Sequence, residues 1–263
     1  MSRVNHLETS ATPFGASVRR WRRMRGTSQL ELAHRAGTTS RHLSFLETGR
    51  SRPSRDMVAR LAEALQLQLR EANDLFRSAG LASAYPESAF SESDLAPFTA
   101  VVEQMLHAHN PFPAYAIDRR WNIVQANSAA QRFLPDSPER NVVRLTYAGA
   151  WRNLIANWDD IAWPGALRLQ RESAQHPDDE ELADLATLAV EACAGLAAQD
   201  VMPAGRVLCP AFRFGDDLIR TISVVAQFGG ARDVTLEELR IELFFPADEQ
   251  SAQHFMRLSN VDG

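Results

Sequence analysis

Ser40, Arg41 and Ser44 share one face of a predicted helix, and Leu43 and Leu46 lie on its opposite, apolar face. All three polar side chains can hydrogen-bond to the edges of nucleic-acid bases. The Arg41 guanidinium can bind O6 and N7 of a guanine together, a contact worth roughly 1–3 kcal/mol of discrimination between base pairs. The serine hydroxyls can donate to or accept from several bases and therefore specify less. The chemistry that this face predicts is readout of DNA sequence.

Other polar residues around this helix are suited to the DNA backbone. Gln29 begins the preceding helix, where a side-chain amide and the positive helix end can bind a phosphate. Arg50 and Arg52 follow the helix in a loop and are placed to contact phosphates without reading sequence. The complete set of predicted DNA contacts is Gln29, Thr39, Ser40, Arg41, Ser44, Arg50 and Arg52.

The elements that would hold these residues have the spacing of a helix-turn-helix. Ala33 is small where two helices must cross closely, and Gly37 supplies the tight turn between them. Ser28 is a good N-cap for the first of these helices, and Glu31 three residues later completes a predicted capping box. Apolar periodicity predicts a five-helix, all-α domain at residues 10–80. Its helices are expected at about residues 14–26, 28–37, 39 or 40 to 48, 53–65 and 69–79.

The charges of the chain are divided unevenly between its two parts. Residues 1–80 carry 14 Arg and 7 Asp plus Glu, a net charge of +7, whereas residues 81–263 carry 14 Arg and 26 Asp plus Glu, a net charge of −12. Every basic residue is Arg, a uniformity that can reflect genome composition and is weak support for DNA binding by itself. The difference in net charge between the two parts is stronger support for DNA binding, because a basic module suits phosphate and an acidic remainder does not.

The second part of the chain predicts a different fold. Residues 81–97 are small, polar and marked by proline, which predicts a linker. Residues 98–250 predict an α+β domain in which helices pack against an antiparallel sheet. The predicted elements are a helix at 98–108, a hairpin at 115–125, a helix at 127–134, a largely helical stretch at 142–200, and strands at 207–214, 218–228 and 241–245. Breaks in the helical stretch are expected at residues 163–165 and 176–179.

Composition and motifs exclude several classes of protein. No run of about 18 apolar residues is present and the N-terminus lacks the pattern of a signal peptide, so we expect a cytoplasmic protein without membrane contact. The cysteines, Cys193 and Cys209, form no CxxC pair, which argues against a metal site or a disulfide framework. Motifs for nucleophilic, metal or nucleotide chemistry are absent from the sequence, so we expect neither an enzyme nor a cofactor.

The N-terminal part resembles a known family of DNA-binding modules. SQLELA, AGTTSRHLSFLETGRSRPS and the amphipathic helix that follows resemble the phage-repressor-like helix-turn-helix family, often called the XRE family, over residues 14–65. The resemblance implies a lambda-repressor-like fold. It also implies that an Arg on the first helix pairs with the Glu that closes the third, which here are Arg22 and Glu47.

The C-terminal part resembles a second family. NPFPAYAIDRRWNIVQANSAAQRFL, NVVRL, LIANW, QHPDDEELADL and DVTLEELRIELFFPAD are similar to the MmyB-like ligand-binding domain of bacterial transcription regulators. The resemblance implies a PAS-like fold with an apolar cavity and fatty-acid-type ligands. Arg144 and Arg152 are the predicted anchors for an acyl head group, because Arg binds a carboxylate bidentately. The predicted ligand contacts are Trp121, Phe133, Arg144, Trp151, Arg152, Trp158 and Phe214.

Together the two parts predict a one-component transcription regulator. A homodimer on double-stranded operator DNA is expected, because a single recognition helix buries too little surface for specific binding. The predicted signal is an apolar small molecule, such as a fatty acid or an acyl derivative, that shifts DNA affinity. Two alternatives stay open at this point: a repressor or antitoxin whose C-terminal domain binds a protein partner, and a DNA-tethered enzyme with convergent titratable groups.

Overall fold

A computed structural model describes residues 12–196 and 209–259. The chain divides into two compact units, and the described part of the first comprises residues 12–88 and 229–237. The second comprises the described residues between 89 and 228 and those from 238 onward. Some predictions lie outside the described residues: the first two residues of the N-terminal domain, the helical residues 197–200 and the start of the strand predicted from residue 207. The predicted domain boundaries stay a prediction.

Residues 12–88, the described N-terminal part of the first unit, form five helices around one apolar core, which confirms the predicted fold class of the N-terminal part. The helices are α1 (Pro13–Met24), α2 (Gln29–Arg35), α3 (Ser40–Glu47), α4 (Arg55–Ala64) and α5 (Leu69–Ser78). The largest fully buried side chains of its core are Leu32, Leu43, Leu46, Leu61, Leu65 and Leu75. At the apolar helix positions, burial follows the 3.6-residue period of the sequence.

Local signals define the turn between α2 and α3. Gly37 has φ +61°, a conformation that favours glycine, and the Thr38 N–H donates to the Ala33 carbonyl at 2.8 Å. The Ser28 hydroxyl accepts the Glu31 N–H at 3.1 Å, as an N-cap should. The predicted capping box is only half formed, because the Glu31 side chain pairs with Arg35 one turn later instead of returning to the Ser28 backbone.

Residues 82–88 follow α5 closely and are held by a buried amide. The Asn73 side chain accepts from the Tyr85 N–H at 3.0 Å and donates to the Tyr85 carbonyl at 2.9 Å. It also accepts the Ala84 N–H at 2.9 Å. Part of the segment that the sequence predicts as a linker is therefore packed on the helical unit.

Residues 229–237 complete the first unit although they come late in the chain. The Asp233 carboxylate accepts the Ser88 N–H at 3.2 Å, and the Glu237 carboxylate accepts the Leu69 N–H at the start of α5 at 2.7 Å. These contacts bind the late segment to α5 and to the residues that follow it. Because the segment connects two strands of the second unit, the chain passes into the first unit and returns.

The second unit contains a five-stranded antiparallel sheet with helices, which confirms the predicted α+β, PAS-like class. Its strands are β1 (Ala114–Ile117), β2 (Ile123–Ala126), β3 (Ala211–Phe214), β4 (Asp217–Ala226) and β5 (Arg240–Pro246). Its helices are α6 (Ala96–Ala108), α7 (Ser128–Gln131), α8 (Val142–Tyr147), α9 (Trp151–Leu154), α10 (Trp158–Gln175), α11 (Glu180–Ala192) and α13 (Glu249–Ser259). Helix α12 (Val234–Glu238) belongs to the first unit except for its last residue. No helix among the described residues is long and apolar enough to cross a membrane.

The strand order is β2-β1-β5-β4-β3, so β5, the last strand in the sequence, lies in the middle of the sheet between β1 and β4. The predicted hairpin is confirmed, because β1 and β2 pair directly. In the central strands Tyr115 of β1 stands opposite Glu242 of β5, and Glu242 stands opposite Val225 of β4. One row of side chains therefore crosses three strands on the same face of the sheet.

The predicted helix break at residues 163–165 is wrong. Helix α10 is 18 residues long and continues through Pro164. Its buried Ala162 and Ala166 pack in the core of the second unit. Tertiary packing thus outweighs the local cost of a proline inside a helix. Glycine is required at position 165 because the Tyr147 hydroxyl lies close to its backbone: a Cβ there would be 2.3 Å from the Tyr147 Oη. This hydroxyl donates to the Ala162 carbonyl at 2.9 Å. The break predicted at residues 176–179 does separate α10 from α11.

Candidate nucleic-acid interface and ligand cavity

The polar face of α3 is available to a ligand. Leu43 and Leu46 are fully buried, whereas Arg41 is exposed and the two serines, Ser40 and Ser44, are half-buried. The Arg41 guanidinium lies 5.5 Å from the centre of the Phe45 ring on the same helix. The helix therefore buries the leucines and presents the face that was predicted to read bases.

Positive charge near α3 is left uncompensated. Arg41, Arg50 and Arg52 are exposed, and none forms an ion pair with any residue in the described part of the chain. By contrast, Arg35 on α2 is paired with Glu31. Exposed guanidinium groups without carboxylate partners attract phosphate, so this arrangement suits a nucleic-acid backbone. The DNA contacts assigned to individual residues, including the exposed Thr39, stay predictions.

A buried ion pair positions α3 against α1. Glu47 closes α3 with no exposed surface, and Arg22 donates to it through Nε to Oε1 at 2.7 Å and through Nη2 to Oε2 at 3.1 Å. The pair implied by the family resemblance is thus confirmed. Burial alone would raise the pKa of Glu47, but hydrogen bonds from Arg22 and Gln29 and the nearby guanidinium charges outweigh it and lower the pKa.

Gln29 has a structural partner in this arrangement. Its Nε2 donates to Glu47 Oε2 at 2.8 Å, so the side-chain amide is directed to the ion pair. The predicted contact between Gln29 and a DNA phosphate would use the backbone N–H groups at the start of α2 and the second N–H of the side-chain amide, which does not donate to Glu47.

The second unit contains a cavity of about 330 Å³ between the sheet and helices α8 to α10. The sheet contributes residues from β1, β3, β4 and β5, and the largest lining side chains are aromatic. The aromatic and aliphatic side chains of the lining include Tyr115, Trp121, Phe133, Val142, Val143, Tyr147, Trp151, Leu154, Ile155, Ile161, Leu169, Phe212, Val225, Phe244 and Phe255. A concave, mostly apolar site with a few polar groups is the usual form of a small-molecule site.

Three of the residues predicted to contact a ligand lie together in this cavity: Trp121, Phe133 and Trp151. Trp151 stacks on Tyr115 with ring centres 6.2 Å apart, and its Nε1 donates to the Phe133 carbonyl at 2.7 Å. These contacts hold aromatic rings around the cavity wall.

The other four predicted residues do not line the cavity. Arg144 is exposed on α8, and the Arg152 guanidinium lies 3.8 Å from the centre of the Trp158 ring. Trp158 is buried against Tyr147, and Phe214 packs on Phe133 beside the cavity. Their part in ligand binding, including the head-group anchors, stays a prediction that this geometry does not support.

The polar groups that do line the cavity were not predicted. They are Tyr115, Thr146, Arg168, Thr221, Ser223 and Glu242. A sequence signal existed for Glu242, since the β5 residues RIELFFP place this carboxylate and Phe244 on the same face of a strand. A charged residue on the apolar face of a strand is an exception to the expected pattern and marks a functional candidate.

Trp121 is held between two guanidinium groups at one side of the cavity. The Arg240 guanidinium lies 4.2 Å and the Arg168 guanidinium 4.8 Å from the centre of its ring. Glu172 joins all three residues: it accepts from Trp121 Nε1 at 3.0 Å, from Arg168 at 2.9 Å and from Arg240 at 3.1 Å. Trp121 has φ +66°, an uncommon backbone conformation for a bulky residue, and this network fixes it.

Two models of known protein families match the chain. The model described as the MmyB-like transcription regulator ligand binding domain matches residues 98–258. The model described as helix-turn-helix matches residues 18–71. The two matches cover the two sets of site residues described above, and no curated protein sequence matches the chain.

Several solved structures are similar to the chain, over different shares of its length. The restriction-modification controller protein C.AhdI from Aeromonas hydrophila is 31% identical over 23% of this chain and 92% of its own, with a TM-score of 0.23. The clp gene regulator ClgR from C. glutamicum is 29% identical over 26% of this chain and 86% of its own, with a TM-score of 0.24. An RNA-binding light-oxygen-voltage receptor is 12% identical over 99% of this chain and 70% of its own, with a TM-score of 0.28.

Proposed function

Because the chain belongs to the family of transcription regulators with an MmyB-like ligand-binding domain, we propose that an apolar small molecule bound in the cavity controls how tightly the helix-turn-helix binds operator DNA. The observation that supports a small molecule most directly is the aromatic cavity of about 330 Å³. Its volume lies at the lower end of the range for sites that hold drug-sized ligands. The apolar lining would accept the hydrocarbon part of a fatty acid or an acyl derivative, whatever polar group that chain carries.

The course of the chain supports coupling between ligand and DNA. Strands β4 and β5 contribute Val225 and Glu242 to the cavity lining, and the segment between these strands includes residues 229–237 of the first unit. A ligand that moves β4 or β5 therefore acts on a segment bonded to α5. For this coupling to work, the ligand must bind the DNA-competent and DNA-incompetent arrangements with different affinities.

We further propose that the protein binds DNA as a homodimer in the cytoplasm. The exposed face of one short recognition helix, α3, offers few base contacts, and two-fold symmetry doubles them on a palindromic operator. Arg41 would read bases, with Ser40 and Ser44 beside it, and Arg50 and Arg52 would bind phosphates.

The chemistry of the cavity favours binding over catalysis. Among its described lining residues there is no cysteine, histidine or aspartate, and the one lining carboxylate, Glu242, has no adjacent nucleophile other than hydroxyl groups. An enzyme needs convergent acid, base and nucleophile groups. We therefore propose a sensor and not a DNA-tethered enzyme.

The experiment that tests this proposal begins with the full chain, purified under mild conditions. Mass spectrometry of a denatured extract identifies any retained small molecule, and DNA affinity is then measured with and without that molecule on an operator selected in vitro. We expect an apolar compound that changes the Kd for operator at least fivefold. Recovery of a stoichiometric protein partner with no small molecule would instead support the protein-controlled repressor.

A pair of variants, one on α8 and one just after its last residue, makes the test specific to the cavity. Thr146 lines the cavity and Ala148, two residues later, is exposed. Thr146→Trp should fill the cavity and abolish both ligand retention and the ligand-dependent change in Kd. Ala148→Trp adds the same side chain outside the cavity and should leave both unchanged.

A further inference from the structure

A carboxylate lies inside the apolar cavity with little to satisfy it. Glu242 is 8% exposed and lines the cavity from the central strand β5. The Tyr115 hydroxyl donates to its Oε2 at 3.0 Å. No other side chain or backbone N–H in the described residues donates to the Glu242 carboxylate, and no cationic side chain there forms an ion pair with it. The buried carboxylate therefore has unused acceptor capacity.

The environment of Glu242 penalises an isolated charge. Burial raises the pKa of Glu242, against the hydrogen bond from Tyr115 and the charges of Arg168 and Arg240. If a bound ligand excludes water from the Glu242 carboxylate and offers no hydrogen-bond donor in its place, the complex of protein and ligand is destabilised. A pure hydrocarbon chain that filled the cavity would create this situation.

Arg168 does not serve as a ready-made anchor for an anion. It lines the cavity, but its side chain is 45% exposed, its guanidinium already donates to Glu172 at 2.9 Å, and it stacks on Trp121. The deeply buried charge of the lining is the carboxylate of Glu242. A ligand carboxylate near it would bring a second negative charge into a site of low dielectric and would supply no proton for a hydrogen bond.

We propose that the cavity selects apolar molecules that carry a hydroxyl, amide N–H or amine group, which donates to Glu242, and that it rejects the corresponding carboxylates. This inference rests on the proposed function of the cavity as the ligand site and narrows the class of ligand. The ligand would place its donor on the row formed by Tyr115 and Glu242 and its apolar body against Trp151 and Phe133. Glu242 is then the residue that determines specificity.

The test uses three eight-carbon probes that differ in their polar end: octan-1-ol, octylamine and octanoate. Each competes at pH 7.5 with N-phenyl-1-naphthylamine, a neutral fluorescent probe of apolar cavities, for the full chain. We expect the alcohol and the amine to displace the fluorophore with Kd values at least tenfold lower than that of octanoate. Octanoate binding as tightly as the alcohol would overturn the proposal.

The same experiment distinguishes failure of this inference from failure of the proposed function of the cavity as a ligand site. Fluorophore binding without discrimination among the three probes contradicts the selectivity alone and leaves the cavity as a ligand site. Failure of the fluorophore and of all three probes to bind, with the protein shown to be folded by circular dichroism, contradicts both.

A substitution assigns the selectivity to one carboxylate. Glu242→Gln keeps the shape of the side chain and removes its charge, so we expect octylamine to bind at least tenfold more weakly and octanoate to approach the affinity of octan-1-ol. Glu191→Gln, an exposed glutamate on α11, is the matched control and should leave the order of affinities unchanged. Unchanged selectivity in Glu242→Gln would contradict the assignment.

Discussion

Arg22 and Glu47 form a two-point ion pair that joins the first helix of the DNA-binding unit to the end of its recognition helix. The Arg22 side chain is 14% exposed and that of Glu47 is 1% exposed, so water screens the pair weakly. Neither partner can be removed without leaving the other in an environment that disfavours an isolated charge. The pair thereby links α3, and with it the face predicted to read bases, to α1.

Glu47→Ala should therefore lower the stability of the helix-turn-helix by about 3 kcal/mol, because it leaves the largely buried guanidinium of Arg22 without its partner. Differential scanning calorimetry of the full chain measures the change as a lower Tm of the transition of the N-terminal unit. Glu63→Ala, at an exposed carboxylate on α4, serves as the control and should change the Tm little. An unchanged Tm in Glu47→Ala would show that the pair does not stabilise the unit.

The stabilisation by Glu47 should also depend on pH. The pKa of Glu47 is lower in the folded protein than its ordinary value of 4.5, so its contribution is fully present above about pH 4.5. The contribution is lost as pH falls through the folded pKa, when the carboxylate that Arg22, Arg19 and Gln29 face is protonated. The stability difference between the wild type and Glu47→Gln should thus be constant from pH 6 to 7 and shrink below pH 4.5. A difference that grows in acid would contradict this linkage.

Arg41 and Arg52 should differ in how their loss affects DNA binding. Arg41→Ala should weaken binding to the selected operator by roughly 1–3 kcal/mol and relax specificity at one base pair. Arg52→Ala should weaken operator and random DNA alike and reduce the slope of log Kd against log salt by about 1. Fluorescence anisotropy on both DNAs at several salt concentrations measures these effects.

An arginine outside the helical unit provides the control for these measurements. Arg171 is exposed on α10, so Arg171→Ala removes one positive charge without touching the α3 region. Its DNA affinity should equal that of the wild type. Equal losses on operator and random DNA in Arg41→Ala would argue that Arg41 binds phosphate and reads no base.

Gly165 and Tyr147 should be strongly coupled. A methyl group at position 165 would lie 2.3 Å from the Tyr147 hydroxyl oxygen but 3.6 Å from the ring carbon that bears it. Gly165→Ala should therefore destabilise the second unit by about 1–3 kcal/mol and reduce ligand affinity, since the tyrosine must move within the cavity wall. Adding Tyr147→Phe removes the colliding atom and should restore much of both.

A double-mutant cycle measured by thermal unfolding and by fluorophore binding tests this coupling. Tyr147→Phe alone loses the hydrogen bond to the Ala162 carbonyl and should cost about 1 kcal/mol. Additive effects of the two substitutions would show that the close approach of Gly165 and Tyr147 does not constrain the cavity.

Asp233 should carry the response of the first unit to the ligand. Its carboxylate accepts the Ser88 N–H at 3.2 Å and the Thr235 N–H at 2.9 Å, and it is buried. Asp233→Ala should leave ligand affinity within twofold of the wild type but reduce the ligand-dependent change in operator Kd by at least half. Asp184→Ala, at an exposed position on α11, should retain the full response. A full response in Asp233→Ala would exclude this route of coupling.

Features fixed by local chemistry were predictable from the sequence. The turn at Gly37 and the N-cap at Ser28 depend on residues within a few positions, so α2 and the turn before α3 were correctly placed. The Arg22–Glu47 pair followed from a family resemblance instead, because its partners are 25 positions apart and spacing alone does not bring them together.

The cavity was only partly predictable because it is built from distant strands. Tyr115 and Glu242 are 127 positions apart and meet through the register of β1 on β5, which periodicity does not specify. Apolar composition did identify Trp121, Phe133 and Trp151. The anchor residues were sought among arginines near apolar runs, and this criterion could not reveal a buried glutamate. The unbroken helix through Pro164 was missed for a related reason, since its support comes from tertiary packing.

The place of residues 229–237 in the first unit has a consequence for biosynthesis. A ribosome makes the helix-turn-helix first, but the segment that bonds to Leu69 and Ser88 emerges only after all of β4. The nascent chain must hold an incomplete N-terminal unit until most of the C-terminal unit has been translated. The first unit can therefore be completed only after most of the strands around the cavity have been synthesised. A truncated translation product that contains the whole helix-turn-helix still lacks residues 229–237, which complete this unit.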